Sequence, residues 1–99
     1  MRMYILFNLK STEDPAAFES WIKQELPKAA DVLKSSQPPA IHRINTVMQG
    51  SFSHSYIADI DLANEMSLMM IAISPSVQEF MRQFNARTEN VTLMKSSTV

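Results

Sequence analysis

Apolar positions along the chain recur first with a period of two, then with a helical period, and the two rhythms alternate. Arg2 to Leu9 puts Met3, Ile5, Phe7 and Leu9 on one wholly apolar face and Tyr4, Leu6 and Asn8 on a mixed one. That pattern predicts a strand in the middle of a sheet. Asp14-Pro15 opens a helix, with aspartate capping free amides and proline pre-shaped for the first helical position. Ala17, Phe18, Trp21, Ile22 and Leu26 form its buried stripe, and Glu19 stands four residues before Lys23 on the exposed side. Pro27 disfavours helical geometry at Leu26, so a kink or break is predicted there. A further turn or two carries Val32 and Leu33 inward, before the loop Ser35 to Pro39.

From Ile41 to Leu62 two runs rich in β-branched and aromatic residues flank a polar segment holding the only glycine, Gly50. This is a hairpin signal. A loop over Gln49 to Ser53 sets Met48 opposite His54, Arg43 opposite Asp59 and Thr46 opposite Tyr56. His42, Ile44, Thr46, Met48, Tyr56, Ala58, Ile60 and Leu62 then share the more apolar, helix-facing side. Ile41, Arg43, Asn45, Val47, Ile57, Asp59 and Asp61 share the other. A one-residue slip would exchange the faces of a strand.

Asn64 to Ser74 is apolar almost all round; Asn64 as a cap and three methionines favour helix over strand. Ser74-Pro75 repeats the capped start, and Val77, Phe80, Met81 and Phe84 follow at helical spacing. Val91 to Met94 is a last strand, and the tail from Lys95 is polar. The order strand, helix, strand, strand, helix in two pieces, strand predicts an α+β domain over residues 1–99. It fits a ferredoxin-like βαββαβ arrangement with helices on one face of a four-stranded sheet. Apolar side chains left on the opposite face need a cover, which predicts a sheet-to-sheet homodimer.

Composition narrows the function classes. A chain of 99 residues with formal net charge -1 and no basic run longer than a pair lacks a nucleic-acid footprint. Cysteine is absent, which excludes disulfides and thiolate chemistry. No stretch approaches a membrane span, and the apolar start lacks the length and cleavage site of a signal sequence, so a cytoplasmic protein is expected.

No glycine-rich phosphate loop, HExxH or GxSxG occurs, so candidate chemistry rests on isolated polar residues. His42 is the candidate general acid or base, because histidine titrates nearest neutrality; a packed, hydrogen-bonded histidine is the competing reading. His54 at the turn reads as solvated. Asp59 and Asp61 share a strand face without a histidine, so no metal site is predicted, and Arg43 opposite Asp59 reads as a cross-strand ion pair. Asn8 and Tyr4 are candidates for orienting a ligand. Trp21, Phe18, Phe80, Phe84 and the methionines Met66, Met69 and Met70 either line an aromatic-binding cavity or form plain core.

The opening ILFNLKSTEDPAAFESWIKQELPKAADVLKSSQPPAIHRI resembles that of the RedY/HapK-like proteins of prodiginine pigment pathways. The shared features are a strand ending in LK, then DPAAFExW, then LP and a serine pair. SPSVQEFMRQFNARTENVTLM is similar to the last helix and strand of dimeric α+β barrel proteins. The resemblance implies a homodimeric barrel with a pocket in each subunit between sheet and helices. Among relatives of that fold, haem-degrading enzymes use a first-strand asparagine with a tryptophan and histidine further on. Here Asn8 fits, but Trp21 lies on the first helix and no histidine follows His54, so haem degradation is disfavoured.

The function expected is binding of a flat, hydrophobic pyrrole-type aromatic and assistance of a cofactor-independent step in pigment or antibiotic biosynthesis. His42 would move a proton, Asn8 and Tyr4 orient the ligand, Trp21 stack on it, and Tyr56 and Phe80 contact it. No cofactor is expected. The alternatives are a non-catalytic carrier of a reactive intermediate and a cofactor-free monooxygenase of polycyclic phenols.

Overall fold

Three polar side chains decide where the helices begin. In the computed structural model, which describes residues 1–99, Asp14 accepts from the Ala17 amide at 3.1 Å and opens α1 (Pro15–Val32). Asn64 accepts from the Met66 amide at 2.9 Å and opens α2 (Glu65–Ile73). Ser74 accepts from the Val77 amide at 3.4 Å and opens α3 (Pro75–Arg87). Each cap serves an amide that no helical carbonyl can reach, a contribution of about 1 kcal/mol.

The strands are β1 (Arg2–Leu9), β2 (Ala40–Arg43), β3 (Tyr56–Asp61) and β4 (Thr88–Ser96), in the antiparallel order β2-β3-β1-β4. The central place of β1, between β3 and β4, matches the apolar residues on both of its faces. Its helix-facing residues Met3, Ile5 and Phe7 join Tyr56, Ala58 and Ile60 of β3. Phe18, Ile22 and Leu26 of α1 and Val77, Phe80 and Phe84 of α3 close over them in one core. Phe7 is its hub. It lies 4.8 Å from Phe84 and 5.6 Å from Phe18, both edge-on, and stacks on Tyr56 at 5.3 Å.

The predicted break at Pro27 does not occur. α1 continues through it, with Leu26, Ala29 and Ala30 buried on either side. Proline forfeits one hydrogen bond on an exposed position, while the buried face on both flanks holds the axis. The helix ends where Lys34 turns left-handed at φ 59° and Ser35 donates to Ala30 at 3.0 Å. Ala17, expected in the buried stripe, is exposed.

The hairpin register also differs from expectation. Arg43 pairs with Tyr56, His42 with Ile57 and Ala40 with Asp59. The odd slip turns β2 over, so Ile41 packs against the core and His42 faces the other side. The loop is longer than the turn residues imply, running from Ile44 to Ser55. Asn8 explains where pairing stops. Its amide donates to Ser53 O at 3.1 Å and accepts from Ser55 N–H at 2.7 Å. Ser55 also donates to Phe7 O at 3.2 Å and accepts from Ile44 N–H at 2.8 Å, so the backbone here is tied both to β1 and to the residue that follows β2. Within the loop His54 is half-buried beside Phe52, with Nδ1 shut from solvent and unpartnered, not freely solvated.

β4 is longer than the predicted Val91 to Met94. Its pairing with β1 shifts by one between Leu6 and Asn8, where Asn90 adopts φ 55°. A left-handed asparagine at a bulge lets the strand continue past it. α2 is helical as predicted, but Ser67 is its only fully buried residue, and Met66, Met69 and Ile73 are exposed. No helix is long and apolar enough to cross a membrane.

Candidate functional site

An open cleft of about 1000 Å³ lies at one end of the sheet, where the ends of β1 and β2 meet the first turns of α1. Leu9, Pro15 and Ile44 give it apolar wall, and Asn8, Glu19, Arg43 and Tyr56 give it polar wall. By contrast the apolar cavity between sheet and helices holds about 20 Å³. That is room for roughly one water. The aromatic residues proposed from sequence to line an interior pocket are packed against one another instead.

Glu19 is the centre of the cleft's polar wall. Helical spacing placed it on the exposed side beside Lys23. In the structure its carboxylate turns to strands β2 and β3. Arg43 grips it with Nε at 3.0 Å and Nη2 at 2.6 Å, both on Oε2, and Tyr56 donates to the same oxygen at 2.8 Å. The side chain of Glu19 is 15% exposed. Hydrogen bonds from Arg43, then from Tyr56, hold its pKa below the ordinary value and so keep it ionised. Burial, then the bond to Glu19, pushes the Tyr56 hydroxyl up, so it stays protonated. No sequence motif announced this cluster. Its only signal was a register in which Arg43 falls opposite Tyr56.

The residues singled out from sequence separate into three places. Asn8 and Tyr56 line the cleft. Both ends of the Asn8 amide are spent on the loop, so it shapes the wall. Tyr4 and His42 lie on the face away from the helices. There His42 Nε2 stands 3.2 Å from Asp59, which also receives Arg2 at 2.7 Å, while Tyr4 borders a shallow groove with Arg2 and Asp61. His42 therefore does share a face with Asp59, contrary to the expected register, and the expected Arg43–Asp59 pair is replaced by Arg43–Glu19. Asp61 bonds Ser36 instead, and no group of three His, Cys, Asp or Glu side chains gathers at metal-binding range. Trp21 and Phe80 form the third place. Their rings stack at 5.5 Å between α1 and α3, with Arg87 over the indole and its N–H donating to Gln83 at 3.2 Å.

Sheet order, helix placement and cleft together define a small ferredoxin-like α+β protein. Solved structures share the fold. At3g17210 from Arabidopsis thaliana superposes with a TM-score of 0.81 at 14% identity, covering 99% of this chain and 96% of that one. A dimeric ferredoxin-like protein from Thermobifida fusca superposes at 0.72 with 13% identity, over 98% and 89% of the two chains. HapK from Hahella chejuensis superposes at 0.71 with 16% identity, over 100% and 95%. No curated protein sequence matches the chain. The chain matches the family described as REDY-like protein HapK over residues 1–99, and it belongs to that family.

Proposed function

We propose that the protein binds a flat, hydrophobic aromatic of pyrrole type in the cleft beside Tyr56, and that it assists a cofactor-independent step of prodigiosin-like pigment or antibiotic biosynthesis. The observation that carries this reading is the cleft itself: a wall of Leu9, Pro15 and Ile44 facing the Glu19–Arg43–Tyr56 cluster, in a member of the REDY-like family. Apolar walls with a few placed polar groups are the usual make-up of a small-molecule site. The reading includes a homodimer. Tyr4, Leu6, Ile57 and Met94 lie on the sheet face away from the helices, and a second copy is the natural cover for them. His42 and Asp59 share that face, which gives His42 a place beside the partner rather than beside the ligand.

One observation favours the carrier form of this reading over a catalytic one. Arg43 makes Glu19 a weak base, and the other carboxylate lining the cleft, Asp14, caps the Ala17 amide, so both carboxylates of the cleft are already engaged. Mixing the protein with bipyrrole and following its absorbance through a single turnover separates the two. A spectral conversion supports catalysis, and an unchanged spectrum on binding supports a carrier.

Amide NMR titration with bipyrrole tests the site. Shifts centred on Leu9, Ile44 and Ser55 are expected. No shifts, or shifts confined to Trp21 and Phe80, would reject the cleft.

A further inference from the structure

Resting on that reading of the cleft, we propose that the aromatic ligand carries a carboxylate, and that Lys23 is the residue that selects it. Most polar side chains of the cleft are spent on one another or on the loop. Asn8 gives its amide N–H to Ser53 O and its amide oxygen to Ser55 N–H. Arg43 spends Nε and Nη2 on Glu19. Tyr56 donates to Glu19, is hydrogen-bonded by Arg43 in turn and is 4% exposed, so it has little to offer a ligand. One positive and one negative charge are thereby paired within the wall.

Three side chains that line the cleft have no partner: Ser20, Lys23 and the hydroxyl of Ser55. A hydroxyl donates or accepts as its neighbour requires, so the two serines favour neither sign of charge. An ammonium has three donors and no lone pair. Lys23 stands one turn beyond Glu19 on the same side of α1, and its charge helps to keep that carboxylate ionised without closing an ion pair with it. It is exposed, so a ligand in the cleft can reach it. Lys23 is the unspent charge of the site.

The other end of the cleft has the opposite character. Asp14 caps Ala17 through one oxygen and leaves its charge on the first turn, beside Pro15. The Ala16 N–H, unpartnered in that turn, stands two residues from this carboxylate, which already answers its partial positive charge. Nine residues separate Asp14 from Lys23, roughly 13 Å at about 1.5 Å each. A ligand carboxylate is therefore repelled at the Asp14 end and drawn to the Lys23 end. The ring system lies against Leu9, Pro15 and Ile44, and its N–H groups find lone pairs at Asp14.

The test compares a bipyrrole carboxylate with the corresponding carboxamide, which keeps the shape and loses the charge, by calorimetry on the intact protein at low salt. The wild type is expected to bind the carboxylate about fivefold tighter, the upper part of what an ion pair open to solvent returns. Lys23→Met keeps the length of the side chain without its charge and is expected to bring the two affinities within roughly twofold. Lys23→Arg should retain the preference. Lys28→Met, further along α1 and paired with Glu25, is the control for overall charge and should leave the ratio in place. Equal binding of both compounds by the wild type, an undiminished ratio in Lys23→Met, or a fall as large in Lys28→Met overturns the inference while the cleft reading stands. Binding of neither compound, nor of bipyrrole itself, rejects the cleft reading and this inference together.

Discussion

His42 and Arg43 are neighbours in β2, yet they finish in charged clusters on opposite faces of the sheet. On the helix side Arg43 holds Glu19, which also receives Tyr56. On the outer side His42 and Arg2 share Asp59. Each cluster sets one carboxylate between two partners, and the side chains of Arg43 and His42 are equally open, at 58% exposed. The difference lies behind the carboxylate. Glu19 is tied through Tyr56 to the Phe7 stack and hence to the core, while Asp59 is tied only to surface side chains. Exposed ion pairs contribute little by themselves. Fastened to a buried aromatic, the same chemistry acquires a fixed direction and a cost of removal.

The sharpest break of that contrast is Tyr56→Ala. It removes a ring packed on Phe7 at 5.3 Å and Phe18 at 5.9 Å, and it leaves Glu19 without its second donor. A loss of about 3–5 kcal/mol in urea unfolding is expected. A loss below about 1 kcal/mol would show that Tyr56 is not anchored in the core and that the two clusters are equivalent.

Asn8→Ala comes next. It takes away both side-chain bonds that hold Ser53 and Ser55 to the end of β1. About 1–2 kcal/mol should be lost. The more telling readout is hydrogen exchange, where the Ser55 amide should exchange faster while Ala58 and Ile60 keep their protection. Faster exchange spread evenly over β3 would mean that the loop is held by the sheet and not by Asn8.

How much of this could be read from the chain varies by feature. The three helix starts were legible because each cap is local: Asp14-Pro15, Asn64 and Ser74-Pro75 act on amides within three residues. The central position of β1 was legible from its two apolar faces. The register of β2 was not. It depends on Asn8, 45 residues upstream of Ser53, capturing the loop backbone, and no local pattern encodes that. The site followed the register. Once β2 turns over, Arg43 rather than His42 reaches the helix side, and Glu19 leaves its helical neighbour Lys23 to meet it. The continuity of α1 through Pro27 was likewise decided by burial at Leu26, Ala29 and Ala30 rather than by the proline.

The pH dependence of stability offers a finer probe, because the Glu19 and Tyr56 shifts have opposite signs. Glu19 has a lowered pKa in the folded state, so its contribution is complete above its ordinary value of 4.5 and is lost as pH falls below it. Tyr56 has a raised one, so its contribution is complete below 10.0 and is lost as pH rises beyond that. Glu79, held down to about 2 by hydrogen bonds from Arg82 and then Gln83, adds to the acid side with the same sign as Glu19, but on open surface. Glu19→Gln should therefore flatten part of the acid limb, and Tyr56→Phe the alkaline limb. The Glu19→Gln cost near neutral pH is expected at about 1 kcal/mol. An acid limb identical to wild type would show that Glu19 is not held by Arg43 and Tyr56 in solution.

The smallest effect is expected from His42→Ala. Its ring is exposed, its single partner Asp59 keeps Arg2 at 2.7 Å, and no core residue leans on it. Stability measured by urea unfolding at fixed protein concentration should change by less than about 0.5 kcal/mol. Bipyrrole affinity should be unchanged, since His42 lines no part of the cleft. The variant has force because of its sequence neighbour: Arg43→Ala, one position along, strips Glu19 of its guanidinium and should weaken both stability and bipyrrole binding. If instead His42→Ala abolished ligand turnover while Arg43→Ala did not, the chemistry would belong to the outer face of the sheet. The Tyr56 cleft would then be a structural joint between α1 and the sheet.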